Sequence, residues 1–209
     1  MPQEFAPERK QLVDRIRAST QTSERVLKAF AEVSRHEFLS DEQRAFAYED
    51  RALPLACGQT VSQPSMIAIM LTELDCKPTH RALEVGAGSG YAAALLGQLA
   101  SVVYAVELLP ALAERARRNL QRGGVSNVHV VAGDGNQGLA EHAPYDRILV
   151  SAAPQSVPDA LVAQLKVGGS IAIPVGNAHA QTLLVGRKIG ANELVWQRSV
   201  ACIFVPLVS

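Results

Sequence analysis

The spacing of apolar residues divides the chain into a helical part before about position 80 and an alternating part after it. In the first part, apolar side chains recur every three or four residues, as on one face of an amphipathic helix. This spacing predicts helices over residues 9–17 and 23–33, and a further short helix over 41–47. We therefore expect residues 1–50 to form a helical cap.

After position 80, short apolar runs alternate with stretches of helical character. Runs typical of buried strands occupy residues 81–85, 102–106, 128–132, 147–150 and 170–173. Helices are predicted over residues 91–99, 110–121 and 159–165. Strands that alternate with helices indicate a parallel sheet with helices on both faces. Residues 182–188 and 193–205 predict two longer antiparallel strands that join around 190–192.

These elements indicate one α/β domain over residues 1–209. The predicted fold class is a doubly wound, mostly parallel Rossmann-like sheet with a C-terminal antiparallel pair and an N-terminal helical cap. Residues 51–80 connect the cap to a core over 81–175, and residues 176–209 hold the C-terminal strands.

Composition and charge narrow the possible partners. Apolar residues make up 48% and charged residues 19%, which is enough to fill a sizeable core. Lys plus Arg and Asp plus Glu each total 20, so net charge does not favour nucleic acid or an anionic membrane as a partner. The chain also has no run of about 18 apolar residues that would predict a membrane span, and no signal segment at its start.

The cysteines bear on compartment and metal binding. Cys57, Cys76 and Cys202 are the only three, and they lack the spacing of a zinc site or a disulfide framework. A small, odd number of cysteines suits a reducing compartment. We therefore expect a cytoplasmic protein that holds no metal.

A glycine-rich stretch, EVGAGSG over residues 84–90, lies between the first predicted strand and the helix after it. Gly86, Gly88 and Gly90 let the backbone turn sharply and let a ligand approach closely. The G-x-G-x-G spacing departs from the G-x-G-x-x-G of dinucleotide-binding loops. The same geometry suits S-adenosylmethionine, whose carboxylate can accept hydrogen bonds from free N–H groups at the helix start. We expect Glu84 and these glycines to bind that cofactor.

Two acidic residues follow the next two predicted strands. Glu107 can accept hydrogen bonds from ribose hydroxyls, and Asp134, followed by Gly135, can accept one from the adenine amino group. Each feature alone has a structural interpretation as a tight connection, a solvated strand end or a turn former. Together, at the carboxyl ends of adjacent strands, they indicate one cofactor pocket.

The chain resembles the protein-L-isoaspartate O-methyltransferases over almost its whole length. The main segments that carry the resemblance are RHEF at 35–38, YEDRALP at 48–54, GQTVSQP at 58–64 and LEVGAGSGY at 83–91. Shorter matches lie at residues 133–135, 143–146, 152–154, 168–169, 173–176 and 204–207. The glycine loop would fit any methyltransferase of this fold, so residues 58–64 decide the assignment.

The resemblance implies an S-adenosylmethionine-dependent methyltransferase domain with its substrate side at residues 51–80 and its cofactor-binding core at 81–175. The implied activity is methyl transfer to the free α-carboxylate of L-isoaspartyl residues in damaged proteins and peptides. The ester then collapses to a succinimide that can reopen as normal aspartate. The resemblance also implies that Ser62 is the active-site residue and that Gln59, Thr60, Val61 and Ser62 lie at the cofactor pocket.

The chemistry of a carboxylate acceptor explains what the sequence lacks. A carboxylate is already ionised at pH 7, so it needs no general base. Ser62 is best interpreted as a hydrogen-bond donor that orients the substrate, although the same segment could be a loop that caps the helix predicted from near residue 65.

Three alternatives remain open at this stage. One is a related carboxyl methyltransferase that acts on another carboxylate, suggested by Cys57 and by the small residues Ala92 and Ala93. The others are a catalytically silent S-adenosylmethionine-binding module and an NAD-dependent oxidoreductase.

Overall fold

A seven-stranded sheet forms the centre of the protein in a computed structural model, which describes residues 5–191 and 193–209. Strands β1 (Leu53–Pro54) and β2 (Thr60–Val61) pair only with each other. The strands of the large sheet are β3 (Arg81–Val85), β4 (Val102–Glu107), β5 (Val128–Ala132), β6 (Tyr145–Val150), β7 (Leu165–Gly176), β8 (Gln181–Gly190) and β9 (Glu193–Cys202). The helices are α1 (Ala6–Ser19), α2 (Glu24–Glu32), α3 (Pro64–Leu74), α4 (Tyr91–Gly97), α5 (Pro110–Arg122) and α6 (Asp159–Gln164). Short 3-10 helices occupy Arg35–Phe38, Asp41–Phe46, Ala56–Gly58, Gly135–Gln137 and Ala140–His142.

The strand order of the large sheet is β5-β4-β3-β6-β7-β8-β9. Strands β3 to β7 run parallel, whereas β8 and β9 pair antiparallel at one end. This arrangement confirms the predicted fold class. The carboxyl ends of β3, β4, β5 and β6 therefore meet at one edge of the sheet, where open α/β sheets bind their ligands.

Several boundaries differ from the sequence prediction. The short helix expected over residues 41–47 is a 3-10 helix, and α6 ends at Gln164 because Leu165 already pairs with Tyr145 as part of β7. The last strand ends at Cys202, since the chain then leaves β8 and pairs near Ala153 instead. The predicted turn at residues 190–192 includes Asn192, which lies outside the described residues.

The two faces of the sheet are covered unequally. Alternate side chains of β4, such as Val103 and Ala105, face a large core formed with α1 to α5, which includes the N-terminal cap. Val106 on the same strand faces a smaller core that is closed by α6 and by loop residues such as Leu139. The cap helices therefore lie on the face of the larger core. None of the helices in the described residues has the length and apolar character needed to cross a membrane.

Candidate active site

The glycine loop turns directly after β3, with all three of its glycines at positive φ. The φ angles are 88° at Gly86, 53° at Gly88 and 86° at Gly90, which glycine adopts without a steric penalty. Gly86 and Gly88 line a cleft, and cofactor binding by these two residues stays a prediction. Gly90 instead packs closely against α5. A Cβ at this position would lie 3.3 Å from the Ala116 carbonyl oxygen. Gly90 therefore lies outside the lining of the cleft.

Glu107, the last residue of β4, joins two sides of this cleft. Its Oε2 accepts a hydrogen bond from the Gly88 N–H at 2.8 Å, and its Oε1 accepts one from the Leu109 N–H at 3.0 Å. A carboxylate has about four acceptor positions, so each oxygen can still accept a further bond. Glu107 lines the cleft and can therefore accept hydrogen bonds from the hydroxyl groups of a ligand.

Glu84 lies behind the loop and is fully buried. Its Oε1 accepts a hydrogen bond from the Ser151 hydroxyl at 2.9 Å, and its Oε2 has no partner within residues 5–191 and 193–209. Burial, with a smaller contribution from the Glu107 charge, raises the pKa of Glu84 to about 8. The side chain is therefore mostly protonated at neutral pH.

Asp134 and Gly135 follow β5 at the same edge of the sheet. The Asp134 Oδ1 accepts hydrogen bonds from the backbone and side-chain nitrogens of Asn136, at 2.8 and 3.1 Å. Gly135 lines the cleft. A Cβ at Gly135 would lie 2.5 Å from the Val85 Cγ1, so the packing of β3 requires glycine there.

The first cleft combines polar backbone with apolar walls. It is lined by Gln59, Thr60, Gly86, Gly88, Val106, Glu107, Leu108, Leu109, Gly135, Ala152, Val205, Pro206, Leu207 and Val208. Glycine backbone, a carboxylate with free acceptor positions and apolar side chains fit an adenosine-bearing ligand such as S-adenosylmethionine.

The C-terminal wall of this cleft is a feature that the sequence analysis missed as part of the site. The Val205 carbonyl accepts a hydrogen bond from Ala153 N–H at 2.8 Å, and Leu207 N–H donates to the Ala153 carbonyl at 2.9 Å. The side-chain amide of Gln181 bonds both the N–H and the carbonyl of Phe204. The only signal in the sequence was the family-like segment at 204–207, which carried no assigned role.

A second cleft adjoins the first, because Thr60 lines both. Ser62 lines this second cleft and is half-buried. The basic side chains that line it within the described residues are Arg198 and His179, with no Asp or Glu among the lining residues. The second cleft therefore suits an anionic ligand, and its position places such a ligand beside the first cleft.

The short pair of strands β1 and β2 determines where the predicted site residues 59–62 lie. Thr60 pairs with Pro54, and Leu55 N–H donates to the Gln59 carbonyl at 2.7 Å. Gln59 and Thr60 are thereby held at the first cleft, whereas the Val61 side chain is buried in the larger core. Cofactor binding by Val61 stays a prediction that could involve only its backbone.

The surroundings of Ser62 bear on whether it is activated as a nucleophile. No group of three or more His, Cys, Asp or Glu side chains in the described parts of the chain is arranged to hold a metal ion. No histidine in those parts donates to or accepts from the Ser62 hydroxyl in a hydrogen bond.

Comparison with known protein families gives one consistent result. The sequence model of the family described as protein-L-isoaspartate(D-aspartate) O-methyltransferase matches residues 7–209. A protein-L-isoaspartate O-methyltransferase from Roseiflexus sp. is 48% identical over 205 residues, which cover 98% of this chain and 94% of that protein. One from Staphylothermus marinus is 43% identical over 218 residues, covering 100% and 97%.

Solved structures show the same relationship. A structure of a protein-L-isoaspartate O-methyltransferase superimposes with a TM-score of 0.88 at 31% identity, covering 96% of this chain and 66% of that chain. A Plasmodium falciparum structure of the same kind, in complex with S-adenosyl-L-homocysteine, gives a TM-score of 0.84 at 24% identity and covers 95% and 97%. The latter likeness concerns the fold.

The buried Glu84 predicts how stability depends on pH. Because its pKa is raised from 4.5 to about 8, the folded protein binds this proton more tightly than the unfolded chain. The stabilisation is complete below about pH 4 and is lost as pH rises toward 8. We expect Glu84→Gln, which keeps an acceptor for Ser151, to remove on the order of a few kcal/mol of this pH dependence.

Urea unfolding of the protein without ligands, in steps from about pH 5 to 8.5, measures this dependence. The matched control is Glu141→Gln at an exposed position, which should leave the slope of stability against pH unchanged. Equal slopes for Glu84→Gln and the unmodified protein would contradict the prediction.

Proposed function

The chain belongs to the protein-L-isoaspartate O-methyltransferase family, and on this premise we propose that it transfers a methyl group from S-adenosylmethionine to the free α-carboxylate of L-isoaspartyl residues. Its substrates are damaged proteins and peptides, whose repair the methyl ester initiates. The observation that carries the proposal is the pair of adjoining clefts that share Thr60, with Ser62 in the second.

The first cleft binds the cosubstrate in this proposal. S-adenosylmethionine supplies an electrophilic methyl group when it is bound. Glu107 accepts hydrogen bonds from the ribose hydroxyls while it holds Gly88, and Asp134 accepts one from the adenine amino group. Gly86 and Gly88 leave room for the methionine part, and Gln59 and Thr60 close the cleft on the acceptor side.

The second cleft binds the isoaspartyl carboxylate. The acceptor oxygen is ionised at neutral pH, so catalysis requires alignment of that oxygen rather than removal of a proton. The Ser62 hydroxyl donates a hydrogen bond that orients the carboxylate. Arg198 and His179 at the same cleft favour an anionic group, with no acidic side chain among the described lining residues to oppose it.

A related enzyme that acts on another carboxylate has less support. The residues that suggested it do not line either cleft: Ala93 is fully buried, Ala92 packs against the larger core, and Cys57 is exposed in a 3-10 helix. Cys57, Cys76 and Cys202 are all free thiols, which supports a reducing compartment such as the cytoplasm. Equal numbers of acidic and basic residues support a protein substrate over nucleic acid or a membrane surface.

Paired peptides test the proposed reaction directly. The protein is incubated with labelled S-adenosylmethionine and with two peptides that differ only in an isoaspartyl or an aspartyl residue. We expect label in the isoaspartyl peptide alone, as an ester that releases methanol in mild base. Equal labelling of both peptides, or a base-stable product, would refute the proposal.

Substitution of Ser62 tests the orienting hydrogen bond. Ser62→Ala is expected to lower kcat/KM for the isoaspartyl peptide by roughly 10- to 100-fold, since a hydrogen bond to a charged group contributes about 1.5–3 kcal/mol. The Kd of S-adenosylmethionine should stay within a few fold. Ser65→Ala, three residues along the chain and outside both clefts, is the matched control. Unchanged turnover in Ser62→Ala would remove the role from this hydroxyl.

Substitution of Glu107 tests the cosubstrate cleft. An amide has one acceptor oxygen, so Glu107→Gln cannot accept bonds from both Gly88 and Leu109 and also from a ribose. We expect the Kd of S-adenosylmethionine, measured by calorimetry, to rise roughly 10- to 100-fold. Glu114→Gln, on the exposed face of α5, should leave this Kd unchanged. A Kd within twofold of the original for Glu107→Gln would show that this carboxylate does not bind the cosubstrate.

A further inference from the structure

Arg35 is a fully buried arginine whose guanidinium is bonded to backbone rather than to a carboxylate. Its Nη1 donates to the carbonyls of Ala47 and Glu49, both at 3.0 Å. Its Nη2 donates to the carbonyls of Arg51 at 3.2 Å and Ser62 at 3.0 Å. Within the described residues, no Asp or Glu oxygen lies within 4 Å of this guanidinium. Its bonding therefore fixes the path of the chain and does not neutralise a charge.

The four carbonyls belong to two segments of the chain, and only the second of these lines the second cleft, through Ser62. Three of them lie in residues 47–51, and the fourth is that of Ser62 itself. A second link joins the same segments, since Asp50 accepts hydrogen bonds from Ser65 N–H at 2.9 Å and from the Gln63 side chain at 3.3 Å. Arg35 thus holds the Ser62 carbonyl, and Asp50 holds the residues that follow Ser62.

Arg35 also contacts the helix that begins after the glycine loop. Its guanidinium carbon lies 5.6 Å from the centroid of the Tyr91 ring, within the range of a cation–π contact. Tyr91 is the first residue of α4 and follows Gly90. One side chain therefore touches the Ser62 backbone, the loop before it and the helix behind the cosubstrate loop.

Energetics argue that this arrangement is maintained for geometry. A buried charge with no carboxylate within 4 Å has a large desolvation cost, and a hydrophobic replacement of similar volume is often as stable. Burial lowers the pKa of the Arg35 guanidinium, and Tyr91 and Asp50 oppose that shift. Only the planar fork of arginine can donate to four carbonyls at fixed angles, since the lysine ammonium is a single point with three donors.

We propose that Arg35 is a positioning residue for methyl transfer, which acts by holding the Ser62 carbonyl so that the Ser62 hydroxyl meets the substrate carboxylate beside the cosubstrate. The inference rests on the proposed function of the second cleft. Arg35 touches neither substrate nor cosubstrate in this scheme, so its effect passes through Ser62.

Arg147 offers a matched control for substitution of Arg35. It is a second buried arginine that donates to backbone carbonyls, those of Asp75 at 3.2 Å and Asp146 at 2.7 Å. It lies near the start of β6, at the opposite edge of the sheet from the clefts. Arg147→Lys should therefore lower stability by a similar route without altering Ser62.

We expect Arg35→Lys to lower kcat/KM for the isoaspartyl peptide 10- to 100-fold, with the Kd of S-adenosylmethionine within threefold, while Arg147→Lys leaves both unchanged. In the Ser62→Ala background, Arg35→Lys should cause less than a threefold further loss, because its effect passes through the missing hydroxyl. The proposal would be overturned if Arg35→Lys lowered kcat/KM by the same factor with and without the Ser62 hydroxyl. An equal loss of kcat/KM in Arg147→Lys would overturn it too.

Hydrogen exchange separates this inference from the proposed function. Amides in residues 47–51 and 60–65 should exchange at least tenfold faster in Arg35→Lys than in Arg147→Lys, whether or not the protein methylates isoaspartyl peptides. Unchanged exchange there would reject the role of Arg35 even in an active enzyme. Arg35→Gln is the second variant, and failure of both Arg35 variants to fold while Arg147→Lys folds would assign Arg35 to the fold alone and overturn the proposal.

Discussion

The cosubstrate cleft depends on the hydrogen bonds of the Glu107 carboxylate, because its two oxygens accept from the two sides of that cleft. Gly88 and Leu109 both donate backbone N–H groups to it, so the loop after β3 and the approach to α5 keep a fixed separation. Gly86 is also fixed through its backbone, since its N–H donates to the Val106 carbonyl of β4 at 2.8 Å. A loop without bulky side chains is thereby made rigid by its backbone hydrogen bonds, and the space that the missing side chains leave is available to a ligand.

The acceptor side of the site uses the same device with the opposite charge. Arg35 donates to backbone carbonyls around Ser62, as Glu107 accepts from backbone N–H groups around Gly88. In both cases a buried ionic side chain orders irregular backbone that has no helix or long strand to define it. The hydrogen bond from Leu55 to Gln59 joins the two regions, because it closes the turn that leads to Thr60 and the boundary between the clefts.

The parts of the fold that were predictable from sequence are those governed by local periodicity. Strand β3 was predicted with the boundaries observed, because its apolar run is bounded by a loop of glycines. Strands β1 and β2 were missed because two residues each are too short to show any period. Local patterns also explain which predicted site residues line the cleft. Gly88 and Glu107 lie at strand ends and line it. Val61 and Gly90 instead pack against residues distant in sequence, which no local pattern shows. The four partners of Arg35 and the wall at Val205–Val208 are contacts of this long-range kind.

The chemistry explains why so much of the site is concerned with position. Transfer to a carboxylate requires neither an activated nucleophile nor a base, so the protein can accelerate it mainly by holding two reactants in line. Small displacements of the orienting group then lower the rate strongly, so the backbone around Ser62 must be held in a fixed conformation. A buried guanidinium with four carbonyl partners is a costly element of the fold. Its cost is reasonable where one hydroxyl group must be held in a fixed place relative to the neighbouring cleft.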